Sequence, residues 1–187
     1  AELFLCLNVS IAFFASQWFG QIRKMEKGEA PVLGTAAFVL LVYAQILVGA
    51  LMRHLGAGLA IPDFPLSFGA IIPAIHSLPV AVNFAHRLGA LTVAASAAAL
   101  WLRLRRYEAG HPLRQMIRLL LLVIVVQIGL GAFTVWSGKQ PVITSLHVVT
   151  GAATLMLSLL LAIIARATAW RTARTERAPY TANEVVA

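Results

Sequence analysis

Apolar residues along this chain gather into long blocks separated by short polar or Gly- and Pro-containing stretches. Five blocks stand out, at about residues 1–19, 32–52, 80–102, 115–136 and 142–165, against the roughly 20 residues a helix needs to cross a bilayer. The pattern predicts an all-α integral membrane protein, a four-helix transmembrane bundle plus one partial additional helix. The first block has Glu2 near its start, no basic run ahead of it and no initiating Met. It is therefore not read as a signal peptide. It reads as the end of a helix begun upstream, so the chain is expected to be a fragment of something longer. Composition supports the membrane reading, since 60% of residues are hydrophobic and 12% charged, with a mean hydropathy of +0.84. An ordinary soluble domain is far less apolar.

The net charge of +8 would suit nucleic acid, but its placement answers to topology instead. Arg23, Lys24 and Lys27 lie between the first two blocks. Arg103, Arg105, Arg106, Arg114 and Arg118 flank the gap between the third and fourth, and Arg166, Arg171, Arg174 and Arg177 follow the fifth. The alternate loops hold only Arg53 and Lys139 near helix ends, with Asp63 between. Basic residues in every second loop are what the positive-inside rule expects. The charge then calls for no nucleic-acid partner, and the tail is cytoplasmic or the organellar equivalent.

This topology places two histidines at one depth. Counted from the outer ends of their blocks, His86 lies about 10 Å along the third and His147 about 8 Å along the fifth, at 1.5 Å per residue. Ionisable side chains inside membrane helices are costly and are functional candidates by default. Two neutral imidazoles at matched depth in separate helices point to the axial ligands of one heme. Each could instead bond a backbone carbonyl or hydroxyl of a neighbouring helix. A weak repeat frames both, Gln45-Ile46-Leu47-Val48-Gly49-Ala50 against Gln127-Ile128-Gly129-Leu130-Gly131-Ala132. Each copy precedes a histidine-bearing helix, so the four helices read as two similar hairpins. The glycines would permit close helix approach or make room for a flat macrocycle.

The stretch from Arg53 to Pro73 sets Pro62 and Pro65 around Asp63-Phe64, with glycines on either side. It reads as an ordered lid over something apolar at the outer surface, or as a simple interfacial loop. Arg53 and Arg87 lie near the outer boundary, where heme propionates would emerge. Guanidinium groups suit carboxylates, and snorkelling to lipid phosphate is the competing reading. His54 could bond a propionate or face water. His76 is read as a loop residue near the outer interface, and His111 as solvent-exposed in the basic inner loop.

These residues resemble the heme A synthase family, membrane enzymes that convert heme o to heme a for terminal oxidases. The resemblance rests on Gln45–Gly69 (QILVGALMRHLGAGLAIPDFPLSFG), on Asn83-Phe84-Ala85-His86-Arg87, and on QIGLGAFTVWSG with SLHVVTG. It covers about residues 1 to 166, because these motifs recur in order at family-like spacing. It implies eight helices in two four-helix halves, each with a histidine pair, of which this chain matches the C-terminal half. Residues 1–19 would then be the last helix of the N-terminal half. Residues 20–31 would be a cytoplasmic linker, 32–166 the heme-binding half, and 167–187 a disordered cytoplasmic tail. By the resemblance, His86 and His147 hold a b-type heme cofactor, heme b, that relays electrons. Arg53 and Arg87 join them as cofactor-binding residues, and no catalytic residue is expected in this half.

Two departures qualify the resemblance. The family's glutamate three residues before the His-Arg histidine is Asn83 here, which puts independent activity of this half in doubt. Some members have loop cysteines able to form a disulfide, whereas the matching positions here are Ile61 and Ser67. The single cysteine, Cys6, reads as a small buried apolar residue, and no intrachain disulfide can form. The implied substrate of the full protein is heme o. Heme o synthase, other cytochrome oxidase assembly factors and a second copy of the chain are the partners left open, in the bacterial plasma membrane or mitochondrial inner membrane, with the heme towards the outer face. Three function classes remain at this point: the cofactor half of a heme A synthase, a b-type cytochrome without its own reaction, and an assembly protein whose histidines are structural.

Overall fold

The computed structural model describes residues 2–22 and 30–176, with side chains described as far as residue 169. Arg23, Lys24, Lys27 and most of the expected linker lie outside the described residues, as do Arg177 and the last ten residues of the expected tail. The chain is helical, with α1 Glu2–Ala15, α2 Gln17–Ile22, α3 Val32–His54, α4 Leu78–Leu104, α5 Pro112–Trp136 and α6 Pro141–Glu176. A single 3-10 turn, Ala57–Leu59, interrupts the long loop after α3. Among the described residues four helices are long and apolar enough to cross a membrane: Val32–His54, Leu78–Leu104, Pro112–Trp136 and Pro141–Ala169.

The helix starts follow local chemistry. Prolines stand in the first turns of α4, α5 and α6, where a missing N–H costs nothing. The Gln140 side chain accepts from the Ile143 amide at 2.9 Å and caps α6. His111 caps α5, its Nδ1 accepting from the Leu113 amide at 3.2 Å while its ring stacks on Tyr107 at 4.3 Å. It is half-buried, which corrects the expectation of a solvent-exposed residue. The α3 helix ends where Gly56 takes a left-handed φ of 63°, a conformation glycine adopts without strain.

Two boundaries differ from the sequence reading. The first block is two helices, because the Ser16 hydroxyl donates to the Phe13 carbonyl at 2.6 Å and accepts from the Phe19 amide at 3.2 Å. That exchange ends one helix and caps the next. The last helix runs to Glu176, past the expected boundary at 166. Its continuation past 166 still packs, with Thr168 buried and bonded back to the Ile164 carbonyl at 2.9 Å.

The core sits at one end of the bundle. Leu104 of α4, Leu113, Ile117 and Leu120 of α5, and Leu161, Ile164 and Ala165 of α6 all have zero exposure. They meet at the end bearing the Arg103–Arg118 cluster. At the opposite end, α6 has no buried residue between Pro141 and Thr150, and α5 has only Ala132 beyond Ile124. The helices are therefore knitted together by interdigitated side chains at the arginine end, and stand less filled at the end that carries His86 and His147.

Candidate functional site

Helices α4 and α6 both start at the loosely packed end and run the same way. His86 lies eight residues after Leu78 and His147 six residues after Pro141, about 12 and 9 Å along their helices. The structure brings the two rings together, with centroids 6.5 Å apart and planes at 73°. Both residues are half-buried. A metal bonded at about 2 Å to one nitrogen of each imidazole would hold the ring centres roughly 6 Å apart, which the observed spacing matches.

A glycine backs each ring. A Cβ on Gly49 of α3 would lie 2.9 Å from Cε1 of His86, and one on Gly131 of α5 would lie 3.2 Å from Cε1 of His147. Four residues before each glycine stands the repeated glutamine. The Gln45 amide nitrogen donates to the His86 carbonyl at 2.7 Å and lies 3.1 Å from His86 Nδ1. His147 Nδ1 donates to the backbone carbonyl of Gln127 at 3.2 Å. A Cβ on Gly89 would collide with the Gln45 amide, and one on Gly151 would press on the Gln127 amide. The repeat is thus a physical device in which glutamine and glycine, one turn apart, seat an imidazole of the following helix. In both seats Nδ1 is engaged and Nε2 is the nitrogen left over. The Gln127 Oε1 is buried without a hydrogen-bond partner.

The donor set narrows what could bind. Among the described residues no three His, Cys, Asp or Glu side chains group to hold a metal ion. Two imidazoles with centres 6.5 Å apart and glycine behind each suit a metal whose remaining ligands come with it in a flat macrocycle. The residues present fit a heme on this count.

The loop after α3 is an ordered cap pinned beside this site. Asn83, buried one turn before His86, donates to the carbonyls of Ala57 at 2.9 Å and Gly58 at 3.3 Å. Its own oxygen accepts from Arg87 Nε at 2.9 Å. Arg87 also donates to the carbonyls of Ile61 at 2.9 Å, Asp63 at 2.8 Å and Leu66 at 2.8 Å. Four of its five N–H groups are committed to the protein. The cap takes most of the hydrogen-bonding capacity of Arg87 and leaves one N–H for a propionate or a lipid phosphate. The Asp63 carboxylate accepts from the Phe68 amide at 2.7 Å and the Gly69 amide at 2.8 Å. These two bonds hold its carboxyl below the ordinary carboxylate value. Trp136 closes the cap from α5, donating to the Phe64 carbonyl at 3.2 Å with the two rings 6.0 Å apart.

Arg53 and His54 are exposed at the end of α3, and His76 is exposed in the loop. None is drawn to the histidine pair by a hydrogen bond. The sequence marked the glutamines only as letters in a repeat, and it marked Asn83 only as a departure. Spacing held a clue, since each glutamine precedes its glycine by one helical turn and so shares its face.

Compared with known proteins, the chain matches the COX15-CtaA family, cytochrome oxidase assembly protein, over residues 2–161. It is 39% identical over 105 residues to the heme A synthase of Symbiobacterium thermophilum, covering 55% of this chain and 34% of that protein. It is 32% identical over 114 residues to the heme A synthase of Staphylococcus carnosus (60% and 36%). To that of Rickettsia felis it is 30% identical over 129 residues (63% and 37%). The match spans about a third of the length of these curated relatives. No solved structure matches the chain.

Proposed function

The chain belongs to the heme A synthase family of cytochrome oxidase assembly proteins, and from that premise we propose that it forms the heme-holding part of an enzyme that oxidises a methyl group of heme o to give heme a. His86 and His147 are the axial ligands of a b-type heme that relays electrons. The observation that carries this reading is the pair of rings 6.5 Å apart, each with Nδ1 met by a group of the preceding helix. His147 donates its Nδ1–H to a carbonyl, as ligating histidines characteristically do with their second nitrogen. When bound between His86 and His147, a heme would supply one-electron transfer.

The chain's own groups do the holding. Gly49 and Gly131 give the rings room, Gln45 and the Gln127 carbonyl engage Nδ1, and the loop held by Arg87 and Asn83 caps the bundle beside them. Arg53, exposed near the histidine end, and Arg87 with its remaining N–H are the cations placed for a propionate. Asn83 carries no titratable proton, and both ends of its amide are engaged. Acid–base work on the substrate is therefore assigned to the rest of the enzyme. The same asparagine favours a second reading, a b-type electron-transfer module without a reaction of its own.

The sidedness follows the positive-inside rule, with the Arg103–Arg118 end in the cytoplasm or matrix and the histidine end towards the outer face of an energy-conserving membrane. Heme o is the substrate of the complete enzyme, and heme o synthase, oxidase assembly factors or a second copy are its protein partners. His86→Ala and His147→Ala should each abolish the low-spin absorption of the heme-loaded protein. Unchanged spectra in both single variants would sink the ligand assignment. Turnover of heme o by residues 1–187 alone would overturn the division of labour.

A further inference from the structure

We propose that Gln45 is a positioning residue for His86, and that its repeat counterpart Gln127 performs the same task for His147 through the backbone alone. The inference rests on the reading of these histidines as heme ligands. The two seats coincide in their glycines and differ in one atom. His147 Nδ1 donates to a main-chain carbonyl 3.2 Å away, a group present whatever side chain occupies position 127. His86 Nδ1 is met at 3.1 Å by the side-chain amide of Gln45.

That amide is itself held, its nitrogen donating to the His86 carbonyl at 2.7 Å and its oxygen lying over Gly89, where a Cβ would collide with it. One side chain therefore grips both the main chain and the ring of residue 86. The Gln127 amide lies over Gly151 in the equivalent place, yet its oxygen is buried without a partner. It touches no ring nitrogen.

The chemistry differs accordingly. A carbonyl only accepts, so His147 is held in the form that carries its proton on Nδ1 and bares Nε2. An amide offers a donor on one atom and an acceptor on the other. Gln45 therefore serves either proton placement on His86, donating to a bare Nδ1 or turning its oxygen to a protonated one. The His147 seat is fixed by the fold, and the His86 seat depends on one replaceable side chain.

The test is a matched pair of near-isosteric variants, Gln45→Met and Gln127→Met, each reconstituted with heme b in detergent and compared with the unaltered protein. Gln45→Met should release heme to excess apomyoglobin 10–100-fold faster, the usual consequence of losing a partner of a metal ligand. Its low-spin electron paramagnetic resonance signal should shift. Gln127→Met should stay within about twofold of the parent by the same measure. Circular dichroism and gel filtration of the heme-free variants separate misfolding from loss of grip. Should Gln45→Met misfold, Gln45→Glu, which can offer an oxygen to Nδ1–H, should release heme more slowly than Gln45→Leu. Equal behaviour of the position-45 and position-127 variants, or of Glu and Leu at 45, overturns the inference. If His86→Ala also keeps a low-spin spectrum, the ligand reading itself has failed. If only the glutamine result fails, the ligands stand and the positioning role does not.

Discussion

An imidazole lies close against a neighbouring helix only where that helix offers no side chain, and two glycines decide this site. The Gly49 position is the tighter, with its added Cβ 2.9 Å from the His86 ring against 3.2 Å at Gly131. Gly49→Ala should therefore displace its histidine more than Gly131→Ala does. A methyl forced into packed surroundings costs about 1–3 kcal/mol, so thermal unfolding of the heme-free protein should fall in the order parent, Gly131→Ala, Gly49→Ala. A reversed order would mean that the His86 ring swings aside without cost. Both glycines were legible in the sequence as a repeat, but with two readings, close packing or room for a macrocycle. Only the third dimension shows an imidazole lying against each. Asn83 teaches the same lesson. As a letter it was a missing carboxylate, whereas in place it is a buried amide that ties α4 to the Ala57–Gly58 turn.

The loop from Leu55 to Ser77 has little regular structure beyond the Ala57–Leu59 turn, and its order comes from polar side chains fastening backbone groups. Arg87 bonds three loop carbonyls, and Asp63 accepts two loop amides. Sequence composition foretold an ordered loop through its prolines and glycines. It could not foretell Arg87 as the fastening, because bonds to carbonyls 21 to 26 residues away leave no local signature. The Asp63 carboxyl sits below its ordinary value of 3.8 because the Gly69 and Phe68 amides favour its charged form. A carboxyl lowered in the folded state lends stability above its unfolded pKa and loses it as pH falls through the folded one. Protection of the Phe68 and Gly69 amides from hydrogen exchange should therefore be constant above about pH 4 and drop below it. In Asp63→Asn it should be weaker at neutral pH and show no such step. A step that persists in that variant would assign it to another group.

Across the whole molecule, hydropathy blocks and charge alternation anticipated the helix order and approximate ends, because membrane insertion reads the same two quantities. What they missed was where packing is dense, since apolar residues facing lipid and apolar residues facing a core look alike along the chain. The zero-exposure residues gather at the arginine end, and the histidine end has few. A ligand that binds only the folded state stabilises it by about 2.7 kcal/mol at a hundredfold excess over its dissociation constant. Heme b should accordingly raise the melting temperature of the parent and leave His86→Ala, His147→Ala double variants unmoved. An equal rise in both would show that heme adsorbs elsewhere. The uneven packing also divides the labour between the two ends of the bundle. Leu104, Leu113, Ile117, Leu120, Leu161 and Ile164 are fully buried without any contribution from the other end. Like a clothes-peg whose spring is already wound, the protein can be complete at its grip while its jaws still await what they are to hold.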